Sequence, residues 1–305
     1  MQICPAGLPP LPDEWPEMSE PSRPPKFPLR LEQTAPKRHA VAGQRNAPVL
    51  TAAAVLRPQA PLAHAVATAQ NASAPTGLGL DSADVRRRMV LRLQASGISH
   101  AGVLGAFQAV PRHLFVDSAL VNQAYEDTSL PIGHGQTISK PSVVARMLEL
   151  LTGGQNAAST AQEGGTKLLG RVLEIGTGCG YQAALLSLLA KSVISVERLK
   201  PLHDKARDNL VALRSDNLRL VYGDGMLGHP PNAPYDSIIA AAGGQALPQA
   251  WLDQLAVGGR LIAPVAQAQG QRAAQALMVV DRTFEGFRSQ MLEGVFFVPL
   301  KSGFV

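Results

Sequence analysis

The sequence predicts an α/β protein: a doubly wound, mostly parallel sheet with helices ahead of it and an antiparallel edge at its C-terminal end. Three observations predict it. From about residue 171 onward, short β-rich runs alternate with helical runs, as parallel βαβ units require. A glycine-rich stretch follows the first of those runs, where open sheets of this class bind ligands. The last two β-rich runs, 276–283 and 289–300, follow one another with no helix between them, which calls for an antiparallel hairpin.

Residues 1–80 alternate Pro-rich pieces such as PSRPPKFPLR with Ala-rich ones. They hold 14 of the 24 prolines but two of the 14 aromatics, Trp15 and Phe27. Proline removes amide donors, and little here can be buried. This stretch is expected to be a disordered extension, with the folded domain spanning 81–305. Asp81 or Ser82 is placed to cap a first helix, in which Val85, Met89 and Leu93 recur every four residues. Val103, Phe107 and Val110 predict a second helix, stopped by Pro111. VVARMLELL (143–151) predicts a third. Between these lies the polar, glycine-containing stretch LPIGHGQTISKP (130–141). GGQNAASTAQEGGTK (153–167) reads as a surface loop by composition. Strands RVLEI (171–175), SVISV (192–196), LRLVY (218–222), YDSIIAA (235–241) and RLIAPV (260–265) then alternate with helices near 181–190, 201–213 and 247–255.

Composition excludes several classes. No apolar run approaches the ~20 residues of a membrane span. The start, MQICPAGLPPLPDEWPE, lacks the basic residues and apolar stretch of a secretory signal. Cys4 and Cys179 stand far apart and make neither a metal spacing nor a disulfide framework, so a reduced, cytoplasmic setting without a metal site is expected. The net charge is +5. Its one dense run, Arg86 to Arg88, suits a solvated helix face better than a nucleic-acid footprint, which needs a broader basic stripe with aromatics.

The strongest chemical signal is VLEIGTGCGYQ (172–182). A buried strand ends in Glu174, and a loop with Gly176, Gly178 and Gly180 opens a helix. Glycines let the chain turn sharply and let a ligand lie against the main chain. A dinucleotide fingerprint is spaced G-x-G-x-x-G and sets a pyrophosphate on the helix N-terminus. Here glycines fall at every second position, which favours S-adenosyl-L-methionine over NAD; a glycine-rich turn without a ligand is the plain alternative. Glu197, after the second strand, suits both hydroxyls of a ribose, or else is a helix-start carboxylate favoured by the macrodipole. Asp224 in YGDGM is placed to accept from an adenine amino group, with Gly225 leaving room for the ring, or else belongs to an ordinary Asp-Gly turn. In LPIGHGQTISKP, His134 reads as a surface residue. Ser139 lacks a G-x-S-x-G elbow, so a positioning role is more economical than a nucleophilic one.

VPRHLFVD (110–117), YEDTSLPIGHGQTISKP (125–141), VLEIGTGCGYQ (172–182), VERL (196–199), GDG (223–225), YDSIIAAA (235–242) and VPL (298–300) stand in this order in a chain that resembles the protein-L-isoaspartate O-methyltransferases over about residues 85–305. The resemblance implies a Rossmann-like, seven-stranded methyltransferase sheet with a distinctive order at its C-terminal end. It implies S-adenosyl-L-methionine as cofactor, and isoaspartyl-containing proteins and peptides as substrates. A monomer acting without nucleic acid or membrane is expected. It makes Ser139 the active-site serine, with Thr137 and Ile138 beside the cofactor. Gly176, Thr177, Gly178 and Gly180 would line the methionine end, Glu197 would hold the ribose, and Asp224 with Gly225 would meet the adenine. Val298, Pro299 and Leu300 would help hold the substrate. Cys179, Lys140, the glycine-rich AAGGQALP (241–248) and the long 153–167 stretch depart from the family pattern. Two other classes stay open: a methyltransferase of another carboxylate or small molecule, and a non-catalytic cofactor-binding protein.

Overall fold

The four-residue recurrence of Val85, Met89 and Leu93 forms helix α1 (Ala83–Ala95), which buries Met89 and Leu93. The structure, a computed structural model, describes residues 83–162, 167–267, 275–303 and 305; the expected extension, 1–80, lies outside the described residues. Helix α2 (Ala101–Ala109) buries Val103, Leu104, Ala106 and Phe107. It stops because Val110 precedes Pro111 and is held extended, at φ −83° and ψ 118°.

The polar, glycine-containing stretch after α2 opens with a small hairpin. Strand β1 (Leu130–Gly133) pairs antiparallel with β2 (Gln136–Ile138), Leu130 opposite Ile138 and Pro131 opposite Thr137. Leu130, Ile132 and Ile138 turn inward and are buried, which fixes the register. His134 and Gly135 both have positive φ, 54° and 67°, as a two-residue primed turn demands. Helix α3 (Pro141–Thr152) follows at once, with Pro141 in its first turn where no amide is needed.

The 153–167 stretch also differs from the loop expected of it: Gln155–Gln162 forms helix α4. Its composition is polar because small residues, Ala157 and Thr160, do the burying. Asn156 Nδ2 donates to Asp236 Oδ1 at 3.0 Å and to Val257 O at 3.1 Å, which ties the helix to the sheet.

The sheet is built from β3 (Leu169–Ile175), β4 (Ala190–Glu197), β5 (Leu218–Tyr222), β6 (Tyr235–Ala240), β7 (Leu255–Ala266), β8 (Gln275–Thr283) and β9 (Gly286–Val295). Their order is β5-β4-β3-β6-β7-β8-β9. Five strands run parallel, from β5 to β7; β8 is antiparallel to β7 and β9 to β8, the hairpin edge expected of 276–300. The connecting helices are α5 (Tyr181–Leu189), α6 (Lys200–Leu210) and α7 (Gln249–Gln254). Both faces of the sheet are covered. One core gathers Phe107, Met147, Leu148, Leu185 and Leu186; the other gathers Trp251, Tyr235, Leu255 and Ile238. The chain steps from β3 to β5 in one direction and then returns to β6 on the other side of β3. That reversal opens a crevice at the carboxyl ends of β3 and β6, and the glycine loop stands in it.

Candidate active site

A cleft open to solvent occupies this crevice, about 870 Å³ when the open solvent at its mouth is counted with it. Four pieces of chain supply most of its wall: the hairpin with Gln136 to Ser139, the glycine loop with Gly176 to Cys179, the end of β4 with Glu197 to Leu199, and the C-terminal stretch Val298 to Lys301. The structure thus brings Thr137, Ile138, Ser139, Gly176, Thr177, Gly178, Glu197, Gly225, Val298, Pro299 and Leu300 to one cavity.

Two residues expected at the site do not line it. Gly180 is the residue before α5 and has φ 92°. A Cβ there would stand 3.1 Å from Leu210 Cδ1, so it lets α5 approach α6. Asp224 caps the turn Gly225–Leu227: its Oδ1 accepts from Met226 N at 2.9 Å, and its Oδ2 from Gly303 N at 2.6 Å. His134 is exposed on the hairpin turn, and Lys140 is exposed at the head of α3.

Glu197 is 5% exposed and gripped by main chain. Its Oε2 accepts from Gly178 N at 2.9 Å and its Oε1 from Leu199 N at 2.9 Å. The carboxylate therefore holds the glycine loop in place while its remaining lone pairs stay available to a ligand. Below it, Ser195 Oγ donates to Glu174 Oε2, and Thr177 Oγ1 is 2.6 Å from Ser195 Oγ. Burial pushes the Glu174 carboxyl up to about 8, with the Glu197 charge adding to the rise. Hydrogen bonding from Ser195 and Gln182 offsets part of that rise. Burial also pushes the Cys179 thiol up to about 11, so it is no nucleophile at neutral pH.

The glycine-rich 241–248 segment has a specific use. Gly243 N donates to Val298 O at 2.9 Å, and Leu300 N to Gly243 O at 2.8 Å. This short parallel bridge to Pro299 holds Val298–Leu300 extended along the cleft. A Cβ on Gly243 would fall 2.4 Å from Gln275 Nε2.

The sequence model of the family described as protein-L-isoaspartate(D-aspartate) O-methyltransferase matches residues 84–304. The chain belongs to this family. A protein-L-isoaspartate O-methyltransferase of Methylibium petroleiphilum is 57% identical over 288 residues, 94% of this chain and 99% of that protein. One of Leptothrix cholodnii is 56% identical over 293 residues, 93% of this chain and 96% of the other. A solved protein-L-isoaspartate O-methyltransferase superposes with a TM-score of 0.60 at 27% identity, over 71% of this chain and 66% of that one. A Plasmodium falciparum structure containing S-adenosyl-L-homocysteine, at 24% identity and a TM-score of 0.59, shares the fold.

Several groups of this family site were not singled out from the sequence. Ser195 lies two residues before Glu197 and so on the same face of β4, which was a readable signal. The anchors of the hairpin were not readable. Lys205 Nζ donates to Ile132 O at 3.2 Å and to Asp117 at 2.7 Å. The Asp127 carboxylate accepts from Ser142 N and Oγ at 2.8 and 2.7 Å. Arg112, wholly buried, donates to Ser139 O. Among the described residues, no three His, Cys, Asp or Glu side chains gather as a metal site, and no helix is long and apolar enough to cross a membrane.

Proposed function

We propose that this protein repairs aged proteins by methylating the α-carboxylate of L-isoaspartyl residues, with S-adenosyl-L-methionine as methyl donor. One observation carries the reading: the Ser139 hairpin, the glycine loop and the Val298–Leu300 stretch, far apart in sequence, wall a single cleft. The residues present fit the donor. Gly178 leaves a gap that an added carbon would narrow to 3.2 Å from Ile132 Cδ1, and Glu197 supplies acceptors suited to a ribose diol. We assign Gly176, Thr177 and Gly178 to the methionine end, Glu197 to the ribose, and Gly225 to the adenine, with Asp224 holding the turn that presents Gly225. Thr137 and Ile138 cover the donor from the hairpin, and Gly180 serves by holding α5 in place. When bound, the donor supplies an activated methyl group on a sulfonium.

An isoaspartyl α-carboxylate has a pKa of ~3.5–4 and is already ionised at neutral pH. No general base is needed, and no histidine is among the described residues that line the cleft. The chain's task is alignment and exclusion of water, and orientation alone can supply several of the ~7–11 kcal/mol available from proximity. Ser139 orients the carboxylate or its neighbouring peptide by hydrogen bonding. Val298–Leu300, held extended by Gly243, lets a substrate strand lie beside it. In the methyl ester the α-carbonyl carries methoxide, a far better leaving group than the oxygen of a free carboxylate, so the nitrogen of the following amide attacks that carbonyl, the C–O bond to methoxide breaks, methanol departs and a succinimide closes. Hydrolysis of that ring returns some normal aspartate.

The finer reading is a protein working in the cytoplasm on proteins and peptides, without nucleic acid. Its support is that Cys4 and Cys179 make no disulfide framework, and that the net charge of +5 carries one dense basic run, Arg86 to Arg88, rather than a broad stripe. The product's chemistry tests the function. Aged protein incubated with labelled donor should take up label as an ester that alkali releases as methanol. Label that resists alkali would mean transfer to nitrogen or sulfur and would overturn the reading.

A further inference from the structure

The stretch VPRHLFVD carries part of the family resemblance, and its arginine is the hairpin anchor that also reaches the glycine-loop side of the cleft. Its Arg112 is 0% exposed. The partners of this guanidinium are two main-chain carbonyls and a ring. Nε donates to Ala124 O at 2.8 Å and Nη2 to Ser139 O at 2.7 Å. The guanidinium carbon stands 4.7 Å from the centre of the Tyr181 ring. The third nitrogen, Nη1, is buried without a hydrogen-bond partner.

A buried charge is costly, and an apolar side chain of similar size would fill the same space without that cost. A guanidinium here is explained by what it joins. Ser139 closes the hairpin side of the cleft. Tyr181 is the first residue of α5, immediately after the glycine loop, and its ring is braced edge-on by Phe107 and Phe115. Arg112 spans from one to the other. Its planar fork holds two carbonyls in fixed directions while its face rests on the ring, a combination that a lysine ammonium cannot reproduce. Lys205 and Asp127 also anchor the hairpin, but neither reaches the helix that opens behind the glycine loop.

We propose that Arg112 is the positioning residue that sets Ser139 against the glycine loop, so that substrate carboxylate and methyl donor meet in one alignment. This rests on the function proposed above. It does not touch the reacting atoms; it acts through the Ser139 main chain.

The test is a double-mutant cycle in the full chain: wild type, Arg112→Lys, Ser139→Ala and the pair. The measurements are kcat and KM for an isoaspartyl peptide, affinity for S-adenosyl-L-homocysteine by calorimetry, and hydrogen exchange over residues 130–141. Arg112→Lys should lower kcat about 10–100-fold, as a misplacement near 1 Å does, with homocysteine-product affinity within about threefold. In the Ser139→Ala background the same change should cost less than about threefold, because its route of action is already gone. Exchange in the hairpin should quicken while that of β3 and β4 stays unchanged. Guanidinium chloride should restore part of the turnover of Arg112→Ala. Equal losses in both backgrounds, unaltered hairpin exchange, or variants that lose cooperative melting would each overturn the inference and leave Arg112 a residue of the core. A wild-type chain that binds S-adenosyl-L-homocysteine but methylates no isoaspartyl peptide would instead sink the functional reading, and the exchange measurement would still decide the role of Arg112.

Discussion

The roles proposed for Ser139 and Glu197 in the cleft differ, and single substitutions should separate them. Ser139→Ala should reduce kcat about 10–100-fold, the scale of losing one orienting contact, with S-adenosyl-L-homocysteine affinity within about twofold. Full turnover in that variant would remove the role assigned to the serine. Glu197→Ala should do the reverse. Losing hydrogen bonds to a charged acceptor, at ~1.5–3 kcal/mol each, should raise the dissociation constant about 10–100-fold or more by calorimetry. Glu174 makes a prediction about pH. Its carboxyl is raised from 4.5 to about 8, so the folded chain keeps a proton that the unfolded chain has already released. Its contribution is full below about pH 4.5 and is lost as pH rises toward 8. Glu174→Gln should flatten the fall in denaturant stability across that window; an unchanged slope would place the ionisation elsewhere. None of this was visible in VLEIGTGCG, where Glu174 read only as the end of a strand. Its environment depends on Ser195, which lies 21 residues away in sequence.

At the scale of elements, the three alternate glycines prove to have two kinds of task. Gly178 faces the hairpin across the cleft, while Gly180 faces α6. Alanine at Gly180 should cost about 1–3 kcal/mol of stability through its positive φ and its contact with Leu210, while the folded fraction binds S-adenosyl-L-homocysteine nearly as before. Alanine at Gly178 should weaken that binding by a larger factor than its stability loss explains. Denaturant melts paired with calorimetry decide the matter; identical behaviour of the two variants would merge the roles separated here. The strands and helices from β3 to β7 were legible because each carries its own periodic apolar run. The β1–β2 hairpin was not, since only Leu130, Ile132 and Ile138 alternate within a polar stretch, and three residues do not make a pattern. Helix α4 was hidden for a different reason. It packs through Ala157 and Thr160 and a tether from Asn156 to Asp236, contacts that composition cannot foretell.

For the molecule as a whole, the alternation of strands and helices predicted a doubly wound sheet, and the order β5-β4-β3-β6-β7-β8-β9 follows it, down to the antiparallel pair at the edge. What local pattern could not supply was the convergence of distant segments. Residues 136–139, 176–179, 197–199 and 298–301 meet because strand order reverses beside β3 and the chain's end returns to Gly243. Motif resemblance named those segments, and topology explains why they share one cavity. The proposed function rests on this cavity aligning an isoaspartyl carboxylate with a methyl donor. It is tested most directly by offering the protein labelled S-adenosyl-L-methionine with two peptides identical except for isoaspartyl or aspartyl at one position. Label should enter the isoaspartyl peptide alone; equal labelling of both, or of neither while the donor's demethylated product still binds, would contradict the claim.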